Sequence, residues 1–215
     1  DGTAIRVTLS GSTFTTVTVT GGENDTIANV ENVIGTTGAD NIVGDTNDNN
    51  LSGLGGTDTL SGGDGNDTLT GGEGADRLTG GAGADRFIQG GNDGVSTPRT
   101  DHVVGNVSTF ADGADVVTDF NSGDGDVLQG NKGLTSTTIQ TANSVNQGTY
   151  LFRGTWTPGV GLAGDFETNG TGNDILYATV NSTTAPDVTN MNSNAIVLEG
   201  AFSGFVVANN FDFVT

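Results

Sequence analysis

The sequence contains no cysteine, one methionine, one tryptophan, one histidine (His102) and one lysine (Lys132) among 215 residues. Each scarcity removes a class of chemistry. Without cysteine there is no disulfide framework, no thiolate zinc site and no thiol nucleophile. A single histidine cannot supply the paired imidazoles of an H-E-x-x-H zinc site. A serine hydrolase would have only His102, beside Asp101, as its base, and no G-x-S-x-G elbow accompanies it. The expectation is therefore a chain without catalytic residues. Basic residues number 6 against 26 acidic ones, a formal net charge of −20. So few cations cannot build a patch for a phosphate backbone, which excludes nucleic acid as a partner. No run of about 18 apolar residues occurs, so no membrane-spanning helix is expected.

Glycine, by contrast, is abundant, with 37 residues, and only 33% of the chain is hydrophobic. Each glycine in an ordered element costs roughly 0.5–1 kcal/mol relative to alanine. A one-sided charge also repels itself in any compact state. Composition alone would therefore read as disorder. The aliphatic residues nevertheless recur with a strict period, so a cation is needed to neutralise the carboxylates as the chain compacts.

Residues 35–88 divide without a gap into six nonapeptides: GTTGADNIV, GDTNDNNLS, GLGGTDTLS, GGDGNDTLT, GGEGADRLT and GGAGADRFI. The first position is always glycine. The sixth reads Asp40, Asn49, Asp58, Asp67, Asp76, Asp85, and the eighth reads Ile42, Leu51, Leu60, Leu69, Leu78, Phe87. The last three units match G-G-x-G-x-D-x-U-x in full, where U is a large apolar residue. A linker has no reason to hold an apolar residue at every ninth place.

The glycine-rich half reads as a turn, because glycine accepts positive φ and lets carbonyl oxygens point into the loop. The x-U-x half reads as a strand of about three residues with one side chain turned inward. Two nonapeptides then make one coil, and stacked coils form two parallel sheets. Asp40, Asp58 and Asp76 fall in one column of turns, and Asn49, Asp67 and Asp85 in the other. Between successive turns lies an oxygen cage. The sixth-position side chains contribute to it, with carbonyls from Gly53, Gly55, Gly62, Gly63, Gly65, Gly71, Gly72, Gly74, Gly80, Gly81 and Gly83. Such a cage suits Ca²⁺ at about 2.3–2.6 Å better than Mg²⁺, which keeps its waters. Asn49 lacks a full charge, which places the weakest sites at the N-terminal end. Asp64 and Glu73, at the third position, read as solvated charges. The two columns supply four inter-turn sites, and with a closing segment the expectation is about four to seven Ca²⁺ ions.

These repeats resemble the β-roll of RTX proteins, calcium-dependent substrates of bacterial type I secretion, whose nonapeptide is a known calcium-binding repeat. The lead-in NDTIANVENVIGTTGADNIVGD from Asn24, and the segment DVVTDFNSGDGDVL from Asp115, resemble that family as well. The resemblance spans roughly residues 20–130. It implies a right-handed parallel β-roll in an all-β chain, with calcium at the sixth-position aspartates. It also implies Asp115 or Asp119 closing the last site. After Gln89 the pattern slips, leaving Asp93 and Asp101 as candidate ligands.

The expected organisation is an N-terminal β lead-in or cap over 1–34, the roll over 35–94, and a β-rich C-terminal cap over 95–215. Residues 3–20 alternate as a hairpin that stacks on the first coil. The aromatic residues Tyr150, Phe152, Trp156, Tyr177, Phe202 and Phe205 read as the core of the C-terminal cap, with a carbohydrate-binding aromatic face as the alternative. The tail NFDFVT from Asn210 resembles the C-terminal signal of type I secretion substrates. The N-terminus lacks both a basic n-region and an initiator methionine, which reads as a processed product or part of something longer. The resemblance implies secretion and an extracellular or cell-surface location, with the secretion machinery as a partner. Two functional readings follow. One is a structural protein that self-associates in a surface layer or matrix, or binds other surface components. The other is the C-terminal folding and secretion domain of an RTX exoenzyme or toxin whose catalytic part lies elsewhere.

Overall fold

The computed structural model describes residues 3–88, 103–104, 107–110, 115–130, 148–158, 164–167, 172–180, 196–201 and 211–213. Asp93, Asp101 and His102 lie outside the described residues. Within them every element is a strand, arranged in one 13-stranded and one 6-stranded sheet. No described helix is long and apolar enough to cross a membrane.

The nonapeptide sets the register. The strand Asn41–Val43 pairs in parallel with Thr59–Asp64, which pairs in parallel with Arg77–Ala82, so that Ile42, Leu60 and Leu78 align. On the facing sheet, Asn32–Ile34, Asn50–Gly55, Thr68–Glu73 and Arg86–Ile88 align Val33, Leu51, Leu69 and Phe87. All six eighth-position residues are fully buried in one shared core. Burial of each such side chain contributes roughly 1.5–3 kcal/mol. A coil can bury its apolar residue only against its neighbours, so this stability is collective. The fold is a parallel β-roll in an all-β chain.

Four of the strands are longer than the repeat alone suggests. Asn50–Gly55, Thr59–Asp64, Thr68–Glu73 and Arg77–Ala82 run through the first three residues of the next nonapeptide. The turn backbones pair too, Leu54 with Gly72 and Gly63 with Gly81. With so few side chains in the way, the turns stack at the same spacing as the strands.

The ladders continue beyond residue 94. Asp115–Val117 adds to Arg77–Ala82, aligning Val117 with Leu78, and Val127–Gly130 adds to Arg86–Ile88, aligning Leu128 with Phe87. Ile196–Leu198 and Phe211–Phe213 then extend the two sheets in parallel. Val117, Leu128 and Leu198 are fully buried, and the rings of Phe87 and Phe120 lie 5.9 Å apart.

At the other end, Ile5–Thr8 runs parallel to Asn41–Val43 and antiparallel to Thr15–Val19, which pairs with Asp25–Ile27. Val7 stands opposite Ile42 and is buried, so this strand imitates a preceding coil. The smaller sheet instead ends at Asn32–Ile34, with Ile34 70% exposed. Towards the C-terminus, Gly148–Pro158 pairs antiparallel with Asp174–Val180 and with Gly164–Glu167. Phe166 and Leu151 are buried there, while the side chains of the six aromatic residues expected in that core lie outside the described residues.

Candidate metal centre

Each sixth-position side chain sits where its turn meets the next, and each is between 0% and 3% exposed. Burying a carboxylate this deeply requires specific partners. The first partner is a backbone N–H from the preceding coil. Asp40 N–H donates to Oδ1 of Asp58 at 2.7 Å, Asp58 N–H to Asp76 at 2.8 Å, and Asp76 N–H to Asp115 at 3.0 Å. In the other column Asn49 N–H donates to Asp67 at 2.7 Å, Asp67 N–H to Asp85 at 2.9 Å, and Asp85 N–H to Asp126 at 2.9 Å. Oδ1 of Asp40 accepts from Ile5 N–H at 2.6 Å, the lead-in strand standing in for a missing coil.

The second carboxylate oxygen is the unusual one. Oδ2 of Asp58, Asp67, Asp76 and Asp85 is buried and has no hydrogen-bond partner. Each points at the first glycine of its own unit. A Cβ on Gly53 would meet Oδ2 of Asp58 and, at 2.6 Å, the carbonyl oxygen of Gly71. A Cβ on Gly62 would meet Oδ2 of Asp67 and, at 2.6 Å, the carbonyl oxygen of Gly80. Gly71 and Gly80 are filled in the same way by Oδ2 of Asp76 and Asp85. An orphaned carboxylate oxygen and a carbonyl from the next turn thus converge where the missing side chain leaves room.

The second and fourth glycines serve the stacking of turns. Gly63, Gly72 and Gly81 hold φ of 115°, 120° and 103°, and Gly65, Gly74 and Gly83 hold 109°, 115° and 134°. A Cβ on any of these would strike backbone of the turn one coil earlier, such as Asp45 O below Gly63 or Gly56 O below Gly74. Gly55 is different: its Cβ would find nothing nearer than 3.7 Å.

Burial and like-charged neighbours raise the carboxyl pKa values. Burial is the main cause for Asp58, pushed up to about 6, with Asp40 adding repulsion. Asp67 is pushed up to about 6 by burial and then by Asp85, Asp48 and Asp45. Asp76 rises to about 7, from burial and then Asp58, and Asp85 rises mainly through burial. The N–H donors oppose these rises without cancelling them. No three acidic or histidine side chains cluster as a metal group among the described residues. A cation here would be held largely by carbonyls, with one free carboxylate oxygen per turn.

The closing segment contains one residue the sequence reading missed. Asp126 is buried, continues the second column beyond Asp85, and is pushed up to about 6, chiefly by burial. Its signal was available: Asp126-Val127-Leu128 repeats the D-x-U triplet, as does Asp115-Val116-Val117. Asp115 continues the first column. Asp119 takes another place, accepting Gly80 N–H at 2.9 Å on Oδ1 and Gly81 N–H at 2.8 Å on Oδ2. Asp64 is exposed.

The family model described as RTX calcium-binding nonapeptide repeat (4 copies) matches residues 34–69, 52–87 and 61–94. Residues 34–94 are an RTX calcium-binding repeat region. The orphaned oxygens and glycine cradles of the RTX turns are the features a calcium ion would use, so donor set and family agree. No curated protein matches the chain. Among solved structures, it is similar to the AlgE6R2 subunit of a mannuronan C5-epimerase from Azotobacter vinelandii. Identity is 24% over 80% of this chain and 91% of that one, with a TM-score of 0.44. It is also similar to the AlgE6R3 subunit, at 18% identity over 85% of this chain and 76% of that one, with a TM-score of 0.39.

Proposed function

We propose that the chain is a calcium-folded structural module of a secreted or cell-surface bacterial protein, exported by type I secretion and self-associating outside the cell. The observation that carries this is the set of four buried Oδ2 atoms, on Asp58, Asp67, Asp76 and Asp85, that lack a partner. Leaving a charged group unsatisfied costs more than the 1–3 kcal/mol typical of a neutral one. Calcium bound beside these oxygens supplies the compensating charge, which makes binding energy into folding energy. The carbonyls of Gly71 and Gly80 complete the donor set proposed for the turns of Asp58 and Asp67.

Extracellular modules bind calcium at about 10⁻⁴–10⁻³ M, well above cytosolic levels. Inside the cell the −20 chain stays open and can be threaded; outside, its coils stack. Self-association is supported by the end of the smaller sheet, unpaired among the described residues, where Ile34 is 70% exposed, and by Phe14, 81% exposed on the lead-in. Parallel edges with exposed apolar residues invite another strand.

Far-ultraviolet circular dichroism during calcium titration tests the coupling. The expected result is a cooperative gain of β signal that excess chelator reverses. A β spectrum unchanged by chelator would falsify it. Electron microscopy of the calcium-loaded chain tests assembly: sheets or filaments support it, and monodisperse particles alone count against it.

A further inference from the structure

The six turns differ in one hydrogen bond. In the first unit, Thr36 N–H donates to Oδ2 of Asp40 at 2.6 Å, and in the second, Asp45 N–H donates to Oδ1 of Asn49 at 2.8 Å. Both donors occupy the second position of the nonapeptide. In the other four units that position is Leu54, Gly63, Gly72 or Gly81, each with φ between 76° and 120°. In those four units the sixth-position Oδ2 is left without a partner. Thr36 and Asp45 do not adopt positive φ. Asn49 is an amide whose Nδ2 is itself buried without a partner, so among the sixth-position carboxylates Asp40 is satisfied by its own second-position N–H and the four that follow a positive φ are not.

Leu54 makes the point most sharply. A leucine in the left-handed region costs roughly 1–2 kcal/mol, and Leu54 is 47% exposed, so packing gives little in return. Its turn nonetheless adopts the open form, as the glycine turns do. At the C-terminal end the closed form returns by another route: Asp126 accepts Asp85 N–H on Oδ1 and Asn121 N–H on Oδ2, at 2.9 and 2.8 Å. Asp40 is likewise saturated, by Ile5 N–H, Thr36 N–H and the Thr36 hydroxyl.

We infer that the roll carries two kinds of turn: hydrogen-bond-closed turns at Asp40 and Asp126 that take no metal, and open turns at Asp58, Asp67, Asp76 and Asp85 that require it. The second-position backbone selects between them in the nonapeptides. This rests on the calcium reading above and deepens it, because it assigns the metal to the middle of the stack and self-sufficient turns to its ends. Closed ends allow the outermost coils to form without an ion from a coil that does not exist.

Native mass spectrometry of the full chain in saturating calcium counts the ions. Asp40→Asn is expected to leave the count unchanged, while Asp58→Asn and Asp76→Asn each lower it by at least one. Equal losses in Asp40→Asn and Asp58→Asn would overturn the inference while leaving calcium binding intact. No calcium on the unmodified chain would instead overturn the calcium reading itself. Thr36→Gly supplies an independent arm if Asp40→Asn does not fold. Freed to adopt positive φ, that turn is expected to gain one ion, and a folded Thr36→Gly chain with an unchanged count would overturn the selector.

Discussion

The backbone N–H of Asp58 donates to Oδ1 of Asp76, 18 residues further on, at 2.8 Å, while Oδ2 of Asp76 has no partner. One side chain thus performs two tasks. Half of the carboxylate fixes the register between coils, and the other half is the oxygen that the proposed calcium would use. Register and metal binding cannot be separated by mutation of the aspartate alone, which is why the control must be an acid elsewhere in the repeat.

Asp67→Ala and Asp64→Ala provide that comparison. Removing Asp67 strands the buried N–H of Asn49 and deletes an orphaned oxygen, so a loss of about 1–3 kcal/mol is expected from the N–H alone. Calcium affinity is expected to fall by roughly tenfold or more, each factor of ten being 1.4 kcal/mol. Asp64 is exposed, and its removal is expected to stay within about 0.5 kcal/mol. Calorimetric calcium titrations of the two variants decide it; equal effects would show the register to be misassigned.

Gly62→Ala separates space from backbone angle. Gly62 does not have positive φ, so alanine is allowed by the backbone, yet its Cβ would collide with the Asp67 carboxylate and Gly80 O. Overpacking of this kind costs about 1–3 kcal/mol. Gly55→Ala is the matched case with room to spare, and is expected to be neutral or to stabilise by about 0.4–1 kcal/mol. Thermal unfolding in calcium compares them, and a Gly62→Ala midpoint at or above that of Gly55→Ala would remove the cradle argument.

The roll was readable because its period and its geometry are the same number. An 18-residue coil places Ile42 on Leu60 and Leu69 on Phe87, and the ladder does so. Spacing arithmetic stops where the chain leaves that period. Asp115, named above through the family resemblance, meets Asp76 across 39 residues, and Asp126, not named there, meets Asp85 across 41. The local D-x-U triplet survives the detour, because burial of Val117 and Leu128 still demands it. The self-closed turn at Asp40 was invisible for a different reason. Its unit looks like a weakened copy of the motif, and only the direction of one N–H distinguishes a closed turn from a weak site.

Asp126→Ala tests the residue the period did not reveal. It would orphan the buried N–H of Asp85, worth about 1–3 kcal/mol, and free the N–H of Asn121, an exposed residue where water can replace the bond. Denaturant unfolding in calcium should show the loss, and the ion count should not change. A lower ion count with unchanged stability would assign Asp126 to the metal instead.

Acidity should act in opposite directions on the metal-free and calcium-loaded chains. Folding raises Asp58, Asp67 and Asp126 from 3.8 to about 6 and Asp76 to about 7, mainly by burying them. The folded chain therefore holds protons more tightly than the unfolded one between those values. By linkage, their contribution to metal-free stability is fully present below about pH 4 and is lost as the pH rises through about 6 to 7. Calcium needs the same carboxylates ionised, so its affinity should fall as the pH drops through that window. Urea unfolding of metal-free protein at about pH 4.5 and about pH 7.5, with calcium titrations between about pH 5.5 and 7.5, measures both slopes. Metal-free stability that rises with pH across the window would contradict the burial of charge at these turns, because ionising a carboxylate with an orphaned oxygen can only weaken a fold that has no cation beside it.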